Sequence, residues 1–505
     1  MLGHKERVCK VHSALCLEDL VPKEHFYRQV EAKLDLSFVQ GLVAEVYSAG
    51  RGRPSIDPVV FFKLQLIMFF EGIRSERQLM EQVRVNLAHR WYIGYDLDEA
   101  VPDHSSLSKI RDRYGLDVFQ RFFEEIVERC RAAGLVWGAE LYFDGTKVRA
   151  NADIDKQVPR FYVEAKAHLN ALFGSEARME VGRTSRSLTN TYNGQRLLSS
   201  RTHATAERQG DSRVCPTDPD ATPLYAQFGH SRLGYHVHYV VDGGKARVIL
   251  AALVTPASIM DNTPMLDLER WVRFRWHLHP QIAVGDTKFG TTPNIVGLET
   301  DGIRAFLATA DFSKRTNLFA YEQFRYDAQR DGYVCPQGQF LARSSYDRHH
   351  EAFIYRTSAK ICQACLVKAQ CTTSHYARIV KRSIVQPFLD RVHAYQTTPA
   401  FQKAMRKRSV WIEPLFGEAK QWHQLVQFRL RRLLKVNIQA LLIAAGQNIK
   451  RLLKVRHFTK PLSPTQAAAL AVPASRAFCI LPAQKPTSFP ILTLCSLTHR
   501  LFSTR

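Results

Sequence analysis

Apolar residues along this chain recur with two different periods, and the changes of period divide it into segments. Over 28–130 the spacing is helical. DPVVFFKLQLIMFFEGI (57–73) carries apolar residues on more than one face, which predicts a buried helix. GIRSERQLMEQV (72–83) predicts an amphipathic helix with Arg74 and Arg77 outside. VPDHSSLSKIRDRYG (101–115) predicts a basic helix with Ser105 or Ser106 as its N-cap. Short helices leading into a basic one suit a helix-turn-helix DNA reader, and equally a plain helical bundle.

From about 138 the period falls towards two. AELYFDGTKVRA (139–150), LGYHVHYVVD (233–242), ARVILAALVTP (246–256) and QIAVGDTKFG (281–290) predict strands, with a helix over MLDLERWVRFRWH (265–277). Consecutive strands followed by strand–helix alternation imply an α/β (α+β) core, a mixed sheet with flanking helices. The polar stretch near 175–222 reads as irregular. After 380 the pattern is helical again through FLDRVHAYQ, FQKAMRKRSVWIEPLFGEAKQWHQ and a basic, amphipathic run to about 456. Residues 459–505, rich in Pro, Ser, Thr and Ala, read as a poorly ordered tail. The organisation expected is a helical segment at 15–130, a core in two pieces at 138–310 and 380–456, a cysteine-rich insertion at 320–375, and the tail.

Charge changes this picture most. Seventy Lys and Arg against 47 Asp and Glu give a net +23, which points to a polyanionic partner, since each neutralised phosphate releases a condensed counterion. No apolar run approaches the roughly 18 residues of a membrane span, and the start is charged. The expectation is a cytoplasmic protein, associated with the nucleoid when on DNA, with no membrane contact and reduced thiols.

Three acids stand where chemistry could sit. Asp144 follows the apolar strand LYF and precedes Gly145; Asp286 follows IAVG and precedes Lys288. Carboxylates at strand ends of one sheet can share hard divalent cations. Each also fits a turn Asp that satisfies backbone amides. Glu413 lies in RKRSVWIEPLFGEAK with Lys420 seven residues on, two turns later on the same face. Pro414 implies that a helix starts or kinks there. Glu418 is the rival acid, about 140° round that helix.

Of ten cysteines, Cys335 opens CPQG, and Cys362, Cys365 and Cys371 form CQACLVKAQC. Two such turns with four thiols make a candidate structural zinc site, against a reading as four reduced thiols. His349, His350 and His375 are less regularly spaced rivals. In FRLRRLLKVNIQALLIAAGQNIKRLLKVR (428–456), basic ends including Arg429, Arg431 and Arg432 flank an apolar centre, which suits contact with a DNA backbone or a solvated face. Trp411 and Trp422 could stack a base or pack in a core.

Together these residues resemble bacterial insertion-sequence transposases of the DDE class with an InsH-like N-terminal domain. The resemblance runs from about 15 to 456. It rests on VPKEHFYR (21–28), GRPSIDPVVFFKL (52–64), GIRSERQL (72–79), VPDHSSLSKIR (101–111), FDGTKVRANA (143–152), TDPDA (217–221), GDTKFG (285–290) and IEPLFGEAK (412–420). It implies an RNase H-like core with Asp144, Asp286 and Glu413 as catalytic acids holding Mg²⁺ or Mn²⁺. The partners implied are transposon terminal inverted repeats and target DNA, with a homodimer on DNA. In the related Tyr–Arg–Glu–Lys signature Lys420 keeps its spacing, whereas Ser409 stands where Arg is expected and Arg408 is one residue early. Lys420, Arg408 and Lys288 are the expected phosphate contacts. The implied activity is cut-and-paste DNA transposition; an inactive, repurposed DNA-binding relative is the alternative.

Overall fold

The computed structural model describes residues 16–47, 55–160, 162–164, 166–167, 213–224, 232–310 and 317–455. These all belong to one compact unit, Met1–Lys460. The tail expected at 459–505, and 175–212 of the stretch expected to be irregular, lie outside the described residues.

The first part is helical: α1 (Leu17–Leu20), α2 (Phe26–Lys33), α3 (Phe38–Val43), α4 (Pro58–Phe70), α5 (Glu76–Val85), α6 (Leu87–Ile93) and α7 (His104–Ala132). Local chemistry starts these helices. Asp57 accepts the Val59 N–H at 2.7 Å with Pro58 in the first turn, and Ser75 accepts the Gln78 N–H at 3.0 Å. The cap of α7 is Asp103, not Ser105 or Ser106: its carboxylate accepts the Ser105 N–H at 2.8 Å. An ionised acid there also meets the positive end of the helix dipole, which a serine hydroxyl would not. The kink inside α7 falls at Gly115, with φ of 64°. As expected, α4 is buried almost all round.

The first sheet contains β1 (Glu140–Arg149), β4 (Thr222–Leu224), β5 (Arg232–Asp242), β6 (Ile249–Pro256), β7 (Ile282–Gly285) and β8 (Arg304–Leu307); β2 (Val158–Pro159) and β3 (Arg213–Val214) pair separately. Its order is β4-β5-β1-β7-β8, with β6 also on β5. β1, β5 and β6 are antiparallel, while β1, β7 and β8 are parallel. The parallel half needs crossover helices, which α8 (Met265–Trp276) and α9 (Thr292–Thr300) supply. β7 stops at Gly285, short of the 290 expected, because Asp286 turns the chain by accepting the Lys288 N–H at 2.9 Å.

Residues 325–383 form an antiparallel sheet of their own, ordered β13-β12-β11-β10-β9: β9 (Arg325–Asp327), β10 (Gly332–Val334), β11 (Phe340–Asp347), β12 (Ala352–Arg356) and β13 (Val380–Ser383). Short helices α10 (Ala359–Gln363) and α11 (Lys368–Cys371) sit between β12 and β13. Its separate core is small: Phe324, Tyr333, Leu341, Tyr355 and Val380.

The chain then returns to the first sheet through α12 (Gln386–Gln396), α13 (Pro399–Trp411), α14 (Glu413–Trp422) and α15 (Leu433–Leu453). The basic run expected to continue to 456 is broken: 423–432 is irregular, and Gln427 bridges to Arg149 at the end of β1. The TDPDA motif starts α15, since Asp218 accepts the Arg432 N–H and Asp220 the Leu433 N–H, each at 2.8 Å. One continuous apolar core joins Phe62, Phe69 and Phe122 of the helices to Tyr142 and Tyr239 of the sheet and to Leu441 of α15. The helical part and the sheet therefore fold against each other.

Candidate active site

β1 is ten residues long and Asp144 lies in its middle, opposite Tyr239 of β5, rather than near the strand end. Gly145 donates its N–H to Asp144 Oδ1 at 2.9 Å. Asp286 follows β7, the parallel neighbour of β1, so the two acids leave adjacent strands. Glu413 opens α14: α13 ends at Trp411, Ile412 joins the two helices, and Pro414 takes the first turn of the new one, where its missing N–H has no partner to lose.

Arg408, in the last turn of α13, ties these parts together. Its Nη1 lies 3.4 Å from Asp144 Oδ2 and its Nη2 3.1 Å from Glu413 Oε1. Asp144 and Arg408 are largely buried, while Glu413 is half exposed. Burial pushes the Asp144 carboxyl up to about 6; Arg408 and the Gly145 N–H oppose this, and the charges of Asp286 and Glu413 add to it. The three acids therefore share one electrostatic field. Lys420 joins them: burial lowers its ammonium pKa, and the charge of Asp144 raises it. Lys288 bonds Asp261 at 2.9 Å and feels both Asp286 and Asp144. Among the described residues, no three His, Cys, Asp or Glu side chains close on one point as they would around an ion. Here Arg408 stands between two of the acids.

Glu418 faces away. It pairs with Lys450, accepts from Gln447 at 3.0 Å, and lies 3.7 Å from His423 and from Arg451. Burial pushes its carboxyl up, but His423, Lys450 and Gln447 outweigh that and hold it below the usual range. Its work is to join α14 to α15.

Sequence reasoning overlooked a second tier beside Asp144. His236 and His238 alternate on β5, and Asp261 follows β6. His236 Nδ1 lies 2.9 Å from Asp261 Oδ1 and 2.9 Å from the Ile259 carbonyl, so that nitrogen carries the proton. His236 and Lys288 hold Asp261 ionised against its burial. Burial lowers His238 to about 4, so it is neutral at pH 7, with Nε2 2.8 Å from Thr255 Oγ1. A Cβ at Gly145 would stand 3.3 Å from His238 Nδ1 and 3.4 Å from Asp261, which explains the glycine after Asp144. The HVH alternation was the available signal.

The remaining basic candidates divide. Arg429 pairs with Glu76 at 3.0 Å, and Glu76 also holds the buried Arg111 of α7, so both arginines are engaged in joining the helices to the sheet. Arg431 is exposed and donates to the Asn151 carbonyl at 3.0 Å; Arg432 is exposed too. Trp411 donates to the Gly244 carbonyl at 3.0 Å, and Trp422 is exposed. In the second sheet, Cys335, Cys362, Cys365 and Cys371 line one cavity of 40 Å³. His350 is engaged with Asp347 at 2.7 Å, and His349 and His375 are exposed.

Two family models match: a transposase domain (DUF772) over residues 15–113 and a transposase DDE domain over 334–453. No curated protein matches. Among solved structures, a piggyBac transposase synaptic complex with hairpin DNA is similar at 8% identity, covering 86% of this chain and 79% of that one, with a TM-score of 0.29. No helix among the described residues is long and apolar enough to cross a membrane. A DDE domain implies an RNase H-like fold, DNA cleavage with strand transfer, and dependence on a divalent metal, generally Mg²⁺. With a transposase-domain model over residues 15–113 and a transposase DDE-domain model over 334–453, the chain is a DNA transposase that matches the DDE-class insertion-sequence enzymes.

Proposed function

We propose that this transposase cuts at the terminal inverted repeats of an insertion sequence and joins the freed ends into target DNA, with Asp144, Asp286 and Glu413 as its catalytic carboxylates. The observation that carries the reading is Arg408, which spans Asp144 and Glu413 while Asp144 also feels Asp286. The donor set is all oxygen, which fits hard cations such as Mg²⁺ or Mn²⁺. A carboxyl held up by burial and two like charges is one whose ionised form a cation would favour. When bound, two such ions supply activation of the attacking oxygen and stabilisation of the leaving one.

The chain's own groups position the rest. Gly145 and Lys288 orient Asp144 and Asp286 through backbone N–H donation. Arg408, Lys420 and Lys288 lie where they could neutralise non-bridging phosphate oxygens, and Arg431 and Arg432 extend the basic surface. Water attacks the scissile phosphorus, the bond to the 3′ oxygen breaks, and that oxygen leaves as a 3′-OH opposite a 5′-phosphate. The 3′-OH then attacks a target phosphate and displaces the target's 3′ oxygen, so no protein–DNA bond forms. Two copies of the chain, one per transposon end, are the assembly this requires.

The test is cleavage and joining of end-containing DNA in Mg²⁺ or Mn²⁺. Asp144→Ala, Asp286→Ala and Glu413→Ala should each lose more than about 10²-fold in rate, as removal of a transition-state charge stabiliser does, with DNA binding kept. Wild type that binds ends without cutting them would sink the reading. Activity persisting only in Glu413→Ala would exclude Glu413 from the trio.

We also assign a structural zinc ion to Cys335, Cys362, Cys365 and Cys371. All four line one cavity, where Cys335, Cys362 and Cys365 act electrostatically on Cys371, and the five-stranded sheet has only a small apolar core, so that a module of this size usually needs a staple. Purified protein should hold about one zinc per chain. Chelation, or Cys362→Ser with Cys365→Ser, should unfold the second sheet first. Protein free of zinc with an unchanged melting profile would remove the assignment.

A further inference from the structure

Outside the carboxylate site, a groove of one-sided chemistry lies on the other side of α13. Arg408 turns to the acids, whereas Lys403, Arg406, Lys407 and Val410 recur at the spacing of a single helix face and line a groove of 980 Å³. Trp137 and Lys245 form its opposite wall. Among the described residues, no acid lines it. A second groove of 560 Å³ shares Leu135, Lys245 and Ala246 with the first and continues the basic surface to Lys450 and Lys454 of the α15 end. Glu418 is the acid that lines this extension, and it is already paired with Lys450.

Among the described residues, several of these cations have no ion-pair partner. Lys407 bonds Glu140 at 2.6 Å, but among the described residues no ion pair engages Lys245, Lys403, Arg406 or Lys454, and all four are exposed. Between the cations the surface is apolar and open: Trp137 is 57% and Val410 56% exposed. Unpaired cations around an exposed indole match a chain of phosphates with sugars and bases between them, since the phosphates take the charge and an aromatic face accepts what lies between. An acidic protein surface would give the indole no comparable partner.

We propose that this groove seats the backbone of the same donor duplex whose scissile phosphate enters the carboxylate site, a few base pairs from the cut. It rests on the transposase reading only for the identity of the ligand as DNA and for the place of the cut. One rigid helix carries both surfaces. From Arg408 to Lys403 is five residues, about 7.5 Å of helix, close to the advance of two base pairs along a strand. Lys245 and Lys454 extend the track further along the duplex.

The test is binding of a duplex of about 30 base pairs, without divalent metal so that nothing is cut, across a salt series. Each phosphate that is no longer neutralised should flatten the slope of log K against log salt by about 0.9, so Lys245→Gln/Lys403→Gln/Arg406→Gln should flatten it by about 2.7. Affinity at low salt should fall by at least about tenfold. The single Arg406→Gln, which is less demanding on folding, should flatten the slope by about 0.9. Arg325→Gln/Arg348→Gln/Lys360→Gln, which removes three exposed cations from the second sheet, should match wild type. An unchanged slope in the groove variants, or an equal loss in the second-sheet variant, overturns the proposal. So does a groove variant that binds and cuts end DNA normally and fails only in joining, which would give the groove to target DNA. Wild type that binds with a steep slope and never cuts would overturn the catalytic reading and leave the groove standing.

Discussion

Asp144 is held where a carboxylate is costly. Its folded pKa of about 6 lies above the 3.8 of an ordinary aspartate, so between those values the folded chain binds more protons than the unfolded one. Stability of the metal-free protein therefore falls as pH rises through that window and stays reduced above it. Asp144→Asn, which cannot ionise, should be more stable than wild type at pH near 7.5 by about 2–3 kcal/mol, and equal to it at pH near 3.5. Denaturant melts without divalent metal at both pH values decide it; an equal gain at both would mean that the gain comes from packing. The three candidate acids were legible in the sequence as local signatures (strand then DG, strand then GD, an acid two turns before a lysine), each of which also fits a turn or a solvated face, and it is the order of motifs carrying the resemblance that singles them out together. The HVH alternation marks His236 and His238 only as neighbours on one strand face, and Asp261 carries no such signature. They reach Asp144 through antiparallel pairing of β5 with β1 and β6, which joins residues about a hundred positions apart.

Among the elements, α15 has the least legible role. Its sequence reads as a basic, amphipathic helix, yet much of its length is buried, including two asparagines. Asn437 donates to the Val254 carbonyl at 3.1 Å and accepts its N–H at 2.8 Å; Asn448 does the same with Ile249 at 2.8 Å and 2.9 Å. β6 has β5 on one side, and these amides complete backbone groups on the other. The spacings agree: eleven helical residues rise about 16.5 Å, and five strand residues span about 17 Å. Asn448→Ala should cost about 2–4 kcal/mol, since it orphans a buried N–H and a buried C=O together. A loss under about 0.5 kcal/mol in denaturant unfolding would show that water replaces the amide. The strands themselves were easy to read because their period-two runs are flanked by turns; the irregular 423–432 was not, because its packing against β1 is tertiary.

At the scale of the molecule, composition pointed to a polyanion and the motif order to a transposase, while the joining of helices and sheet into one core was invisible. Helical and strand periods mark elements, and nothing in them says which apolar face meets which. Glu76 illustrates this: on α5 it looks like a first-turn acid, and in the fold it holds arginines from two distant segments. The five-stranded sheet was hidden for a related reason, since most of its strands are only three to five residues long.

The order of these parts along the chain has a consequence during synthesis. Asp144 and Asp286 leave the ribosome early, but Glu413 and Arg408 follow only after the whole second sheet has been made, and α15 follows them. The cations of the groove come late as well: Lys403, Arg406 and Lys407 are made only shortly before Glu413, and Lys450 and Lys454 after it. Polypeptides released before that point lack Glu413 and Arg408 and leave the β6 backbone without the α15 amides. On the proposed trio, the place of one glutamate in the reading order ties cutting to completion of the fold.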